Sequence, residues 1–126
     1  MKIKVLIADD YEIYRKILEN HLACESLEIH SVGSRQELLT AAFVIKPDIL
    51  LLDILLGEDD GPAVYDELIT LGFDRNIPVI ILSSLVEDEP PAHVPKGRKI
   101  IMHHKFIPHE KLREEIFSLA GHNPQN

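Results

Sequence analysis

Four apolar runs in this chain each lead into a group that can handle phosphate or a metal ion. Asp9-Asp10 follow Ile3 to Ala8, and Asp53 closes Ile49-Leu50-Leu51-Leu52. Ser83 follows Ile77 to Leu82, and Lys105 comes shortly after Ile100 to Met102. If the runs are parallel strands, their ends share one edge of a sheet, which is where open α/β sheets bind ligands. A carboxylate at a strand end is placed for in-line attack on phosphorus; the rest of such a site positions groups and neutralises charge. Asp53 is the candidate nucleophile. Carboxylates gathered beside it repel one another, which raises pKa values, and a divalent cation relieves the repulsion. Mg²⁺ prefers six oxygens and keeps some waters. Asp10, Asp53, the backbone carbonyl of Leu55 and waters suit that shell, with Asp9 joining through water; Mn²⁺ is an acceptable substitute. Ser83 and Lys105 would contact phosphoryl oxygens, one as a hydroxyl donor and the other as a positive charge.

The elements that must position these groups follow from the pattern. Ile3 to Ala8 reads as a strand, and Ile13, Ile17, Leu18 and Leu22 recur at helical spacing over about Tyr11 to Cys24. Leu27 to Val32 alternates, as an edge strand would. Ser34 and Glu37 have capping-box spacing ahead of a second helix that runs to about Val44. Ile49 to Leu52 is the most continuously apolar strand and therefore central. Gly57 to Gly61 is turn-rich, and Pro62 opens a third helix with the stripe Val64, Leu68 and Leu71. Ile77 to Leu82 and Ile100 to Met102 complete five strands, and Pro108 opens a last helix with Leu112, Ile116, Leu119 and Ala120 inward. Strands alternating with helices predict an α/β fold, a doubly wound parallel sheet of five strands covered on both faces. Between Leu85 and Ile100, Pro90, Pro91 and Pro95 fall where the fourth helix belongs. Interior proline costs about 3 kcal/mol in a helix, so that helix is expected to be short or irregular.

The bulk composition narrows the function classes. The chain has 126 residues, enough for one domain with a real core. Its 21 acidic and 13 basic residues leave a net charge of -8, which disfavours direct nucleic-acid binding and suits a divalent cation. No stretch approaches the roughly 18 apolar residues of a membrane span. Cys24 is the single cysteine, so no internal disulfide forms. With no signal-peptide pattern at the start, the cytoplasm is the expected location.

VLIADD, then PDILLLDILLGEDDG, then PVIILSS, then a lysine after a short strand resembles the receiver domain of two-component response regulators, over nearly the whole chain. The resemblance implies the flavodoxin-like strand order 2-1-3-4-5, with residues 1–121 as the domain and 122–126 as a polar tail. It implies that Asp53 is the phosphoacceptor, that Asp9 and Asp10 are metal-binding acids, that Ser83 is the switch hydroxyl and that Lys105 is the family's lysine. The expected function is Mg²⁺-dependent acceptance of a phosphoryl group from a histidine kinase or phosphotransfer protein. That group changes contacts with a downstream protein or a fused output domain. On this reading the chain is not an enzyme beyond catalysing its own phosphorylation and dephosphorylation. A stand-alone receiver and a fragment of a longer chain both remain open.

The departures from the family lie on the readout side. Phe106 stands where proline usually follows the lysine, Met102 where an aromatic ring usually switches, and Gly57 where the loop usually has proline. A cis Lys105-Phe106 bond would cost about 2.5–4 kcal/mol. With Met102 a weak switch, phosphorylation is expected to act mainly on residues 84–99. The alternative function is a pseudo-receiver, an interaction module that is never phosphorylated. An aspartyl-phosphate hydrolase would need a second acid two residues after the nucleophile, where Leu55 stands. A flavin carrier would need a Ser/Thr/Gly-rich loop after the first strand, where the acidic pair stands. His103-His104 are read as boundary histidines, because neighbours on a strand face opposite ways. Cys24 is read as a helix-end packing residue.

Overall fold

A computed structural model describes residues 2–84 and 100–121. The strands β1 (Ile3–Ala8), β2 (Leu27–Val32), β3 (Ile49–Asp53), β6 (Val79–Ser83) and β7 (Ile100–His104) form one parallel sheet in the order β2-β1-β3-β6-β7. This is the expected 2-1-3-4-5 order, with a two-stranded hairpin, β4 (Leu55–Leu56) and β5 (Asp59–Asp60), inserted after the central strand. The helices are α1 (Glu12–Leu22), α2 (Arg35–Ile45), α3 (Gly61–Thr70) and α4 (His109–Ala120). The fourth helix expected between Leu85 and Ile100 and the tail at 122–126 lie outside the described residues.

Strand residues alternate between two cores. Leu6, Ala8, Leu50, Leu52, Val79 and Ile81 pack under α2 and α3, against Leu38, Ala42, Val64 and Leu68. Val5, Ile7, Ile49, Leu51, Ile80 and Leu82 pack under α1 and α4, against Leu18, Leu22, Leu112 and Ile116. Burial on both faces is why the central strands read as unbroken apolar runs. β2 at one edge is half-buried after Leu27, in keeping with its alternation.

Local signals mostly held. Ser34 Oγ accepts the Glu37 N–H at 3.1 Å, and Glu37 Oε1 accepts the Gly33 N–H at 2.7 Å. Pro62 sits in the first turn of α3. Two helical stripes differ from expectation. In α1 the inward residues are Tyr14, Leu18 and Leu22, while Ile13 and Ile17 are exposed. Tyr14, Leu18 and Leu22 recur at four-residue spacing, so one stripe of the helix reaches the sheet and the neighbouring stripe faces out. In α3, Leu71 lies past the last helical residue and is exposed; Phe73 folds back instead, donating its N–H to the Leu68 carbonyl at 2.9 Å. Cys24 is exposed rather than packed at the helix end.

Candidate functional site

The site is assembled at the C-terminal ends of β1, β3 and β6 and in the loop after β7. Backbone pairing sets its alignment. Ala8 is registered with Leu52, so Asp9 and Asp53 emerge side by side. Main-chain bonds then continue the ladder past the strands: Asp9 N–H to the Val32 carbonyl at 3.1 Å, Ile54 N–H to Leu82 at 2.9 Å, and Lys105 N–H to Ser83 at 2.8 Å.

Asp9, Asp10 and Asp53 each present a carboxylate oxygen within 4.8 Å of the others. Asp9 and Asp53 are buried and Asp10 is exposed. Lys105 Nζ bridges the buried pair, 2.7 Å from Asp9 Oδ2 and 3.1 Å from Asp53 Oδ2. The other oxygens are also engaged: Asp9 Oδ1 accepts the Tyr11 N–H at 2.8 Å, and Asp53 Oδ1 accepts the Leu55 N–H at 3.3 Å. Asp53 is only 6% accessible despite its place at the end of the strand. The Leu55 turn and Lys105 close over it. Burial and the Asp9 charge push its pKa up to about 6, although Lys105 pulls the other way. Burial works to lower the Lys105 pKa, but Asp9 and Asp53 outweigh it and the ammonium is held above its ordinary value. Ser83 is buried at the end of β6, paired in register with His104.

Residues 5–114 match the family described as response regulator receiver domain. The chain belongs to this family. Response regulator protein VraR of Staphylococcus epidermidis is 33% identical over 94 residues, which are 71% of this chain and 43% of that protein. VraR of Staphylococcus aureus is 34% identical over 95 residues, with the same coverage. The match thus spans less than half the length of these relatives. Among solved structures, a putative response regulator from Chloroflexus aurantiacus superposes with TM-score 0.83 at 20% identity, covering 97% of this chain and 100% of that one. The BeF3-activated N-terminal receiver domain of Klebsiella pneumoniae RstA gives 0.79 at 18%, covering 94% and 99%. These two likenesses establish the shared fold. A phosphoacceptor role in two-component signalling goes with membership.

The structure places the six candidate site residues at one end of the sheet. Asp9, Asp10, Asp53 and Lys105 converge directly, Leu55 touches Asp53 through its N–H, and Ser83 lies one main-chain bond from Lys105. The donor set is hard oxygen, partly buried and partly open through Asp10, which suits Mg²⁺ or Mn²⁺ better than a soft metal. No cis peptide bond occurs among the described residues, so Lys105-Phe106 is trans. Met102 is half-buried against the α2–α3 core. His103 and His104 face opposite ways as read: His103 Nε2 lies 2.9 Å from Glu115, and His104 Nδ1 accepts the Phe106 N–H at 3.1 Å.

Sequence reasoning missed three supporting residues. Arg15 Nη1 donates to the Asp9 carbonyl at 2.7 Å. Tyr14 lies against Lys105. Gly61 presses on the acceptor strand: its N–H bonds the Ile54 carbonyl at 2.8 Å, and a Cβ there would overlap the Asp53 carbonyl oxygen. Tyr14 carries a signal in its four-residue spacing from Leu18, and Gly61 closes the PDILLLDILLGEDDG motif; the contacts that Arg15 and Gly61 make with the site emerge only from the fold.

Proposed function

We propose that this receiver accepts a phosphoryl group on the Asp53 carboxylate from the phosphohistidine of a histidine kinase or phosphotransfer protein. The observation that carries this reading is the placement of Asp53, with Lys105 Nζ 3.1 Å away and two further carboxylates within 4.8 Å. An Asp53 oxygen attacks phosphorus in line as the phosphorus–nitrogen bond to the donor imidazole breaks, and the electron pair stays on that nitrogen. Near pH 7 most Asp53 is ionised, since its pKa is about 6, and it is a stronger nucleophile than an ordinary carboxylate. Lys105 is positioned to follow charge from the carboxylate to the phosphoryl oxygens, and Ser83 supplies a hydroxyl. Asp9, Asp10 and Asp53 would hold Mg²⁺ (or Mn²⁺), with the Leu55 carbonyl as a fourth protein ligand; the ion would neutralise charge on the transferring group. Later attack of water on phosphorus restores the carboxylate and releases phosphate. The chain therefore turns over only its own acyl phosphate.

Tyr11, Ile13, Leu55 and Phe106 expose apolar surface on α1 and the two loops nearest Asp53, with Phe106 85% accessible. This rim gives a phosphodonor an apolar surface to dock on. The acidic balance argues against direct nucleic-acid contact. No helix among the described residues is long and apolar enough to cross a membrane. Output would pass to a downstream protein or a fused domain. The pseudo-receiver alternative is not favoured, because Asp53, Lys105 and the acidic pair are assembled together.

The test is intact-protein mass spectrometry after incubation with acetyl phosphate and Mg²⁺. One added phosphoryl group that is lost in Asp53→Asn is the expected result. Full labelling of the Asp53→Asn variant would refute the assignment of the acceptor, and an unlabelled parent would favour the pseudo-receiver.

A further inference from the structure

Lys105 has to hold its ammonium between two carboxylates, yet it follows the edge strand β7, which among the described residues pairs only with β6. The next residue, Phe106, points into solvent and contributes no packing to the core. Its N–H on the Ser83 carbonyl and its ion pairs to Asp9 and Asp53 hold it from the sheet side, and one further side chain touches it at both ends. The Tyr14 hydroxyl donates to the Lys105 carbonyl oxygen at 3.3 Å, and the Tyr14 ring lies under Lys105 Nζ, 4.7 Å from the ring centroid. The ring face carries the negative lobe of the aromatic quadrupole and favours a cation placed there.

Tyr14 is in turn fixed from the acidic side of the site. Asp9 Oδ1 takes the Tyr11 N–H at the start of α1, and Arg15, the next residue after Tyr14, binds the Asp9 carbonyl. The chain of contacts runs from Asp9 through the first turn of α1 to Tyr14, on to Lys105, and back to Asp9 through the 2.7 Å ion pair. It closes on itself. Burial, and then the charges of Asp9 and Asp53, hold the phenol above its usual pKa, which favours the protonated hydroxyl that donates to Lys105.

Building on the proposed phosphoacceptor reading, we infer that Tyr14 is a positioning residue for Lys105. Its hydroxyl clamps the lysine main chain and its ring steadies the ammonium, a task that strand pairing at an edge cannot perform alone. The role has two separable halves. Tyr14→Phe removes the clamp and keeps the ring; Tyr14→Leu removes both.

The experiment measures two things on the full 126-residue chain. The first is ¹³Cε relaxation of Lys105 without metal or phosphodonor, which reports the freedom of the ammonium end. The second is the rate of mass gain from acetyl phosphate with Mg²⁺. Tyr14→Leu should free the Lys105 terminus and slow labelling about tenfold, the size of a partly desolvated cation–π contact. Tyr14→Phe should leave the terminus ordered, speed amide exchange at Phe106, and slow labelling about threefold. If Tyr14→Leu does not fold, Tyr14→Phe alone decides. Parent-like Lys105 relaxation, Phe106 exchange and labelling in the folded variants would overturn the role. A parent that takes no label at all instead removes the phosphoacceptor reading, while the metal-free relaxation still decides whether Tyr14 orders Lys105.

Discussion

Asp53 carries a linkage between chemistry and stability. Its carboxyl is raised from 3.8 to about 6 in the fold, first by burial and then by Asp9. Well below pH 3.8 the group is protonated in folded and unfolded chains alike and stability is unaffected. Between pH 4 and 6 the unfolded chain ionises while the fold keeps its proton, so stability falls as pH rises. Above pH 6 the full cost, about 3 kcal/mol, is present. Asp53→Asn should therefore be more stable than the parent at pH 8 in a chelator, by about 2–3 kcal/mol, with most of the gain gone at pH 4. Urea melts at the two pH values check this. A variant less stable at pH 8 would show that the Lys105 pair outweighs desolvation. Asp9, Asp10, Asp53, Ser83 and Lys105 were legible in the sequence because each is a polar group at or beyond the end of an apolar run, where period and composition both change. The role of Tyr14 was not, because four-residue spacing from Leu18 marks a helix stripe without showing that a lysine lies across it.

At the scale of elements, the hairpin and α3 form the floor of the site. Gly57 has φ 67° at the first central position of the two-residue turn joining β4 to β5, a conformation that favours glycine. Where the family's usual proline is missing, the chain thus uses a glycine turn. The hairpin went unread because two-residue strands have no period to detect in Leu55 to Asp60; only the turn residues showed. The outward stripe of α1 differs from expectation for a related reason: Ile13 and Ile17 are apolar at helical spacing, yet both are exposed, and composition alone does not say which stripe faces the sheet. Gly61 provides the sharpest test at this scale. Gly61→Ala would drive a methyl into the Asp53 carbonyl, so overpacking should destabilise the domain by about 3 kcal/mol and slow labelling of Asp53 as well. Thermal melts and mass-gain kinetics measure both. Unchanged values for both would mean that α3 can shift away from the strand without consequence.

For the whole molecule, the fold was legible almost to the strand order, because unbroken apolar strands alternating with amphipathic helices admit few right-handed topologies. Residues 85–99, where three prolines displace the expected helix signal, lie outside the described structure, and so does the expectation that phosphorylation acts on 84–99. The two cores share one sheet, so they should unfold together. Leu18→Ala under α1 and Leu68→Ala under α3 each remove a fully buried side chain, from opposite faces. Each should cost about 2–5 kcal/mol and leave a single transition, with far-ultraviolet circular dichroism and the Tyr signal coincident. Separate transitions in either variant would show that the faces are independent.

The two sides of the phosphoacceptor site differ in stiffness. Asp53 ends a strand paired on both sides and is backed without a gap by Gly61 at the head of α3. Lys105 extends from an edge strand and is held by its N–H on the Ser83 carbonyl, by Tyr14 on α1 and by its ion pairs to Asp9 and Asp53. The site is a vice with one fixed jaw and one sprung jaw. If a group enters between Asp53 and Lys105, the displacement should fall on the sprung side, with β7 and the loop through Phe106 expected to register it and α3 expected to stay still.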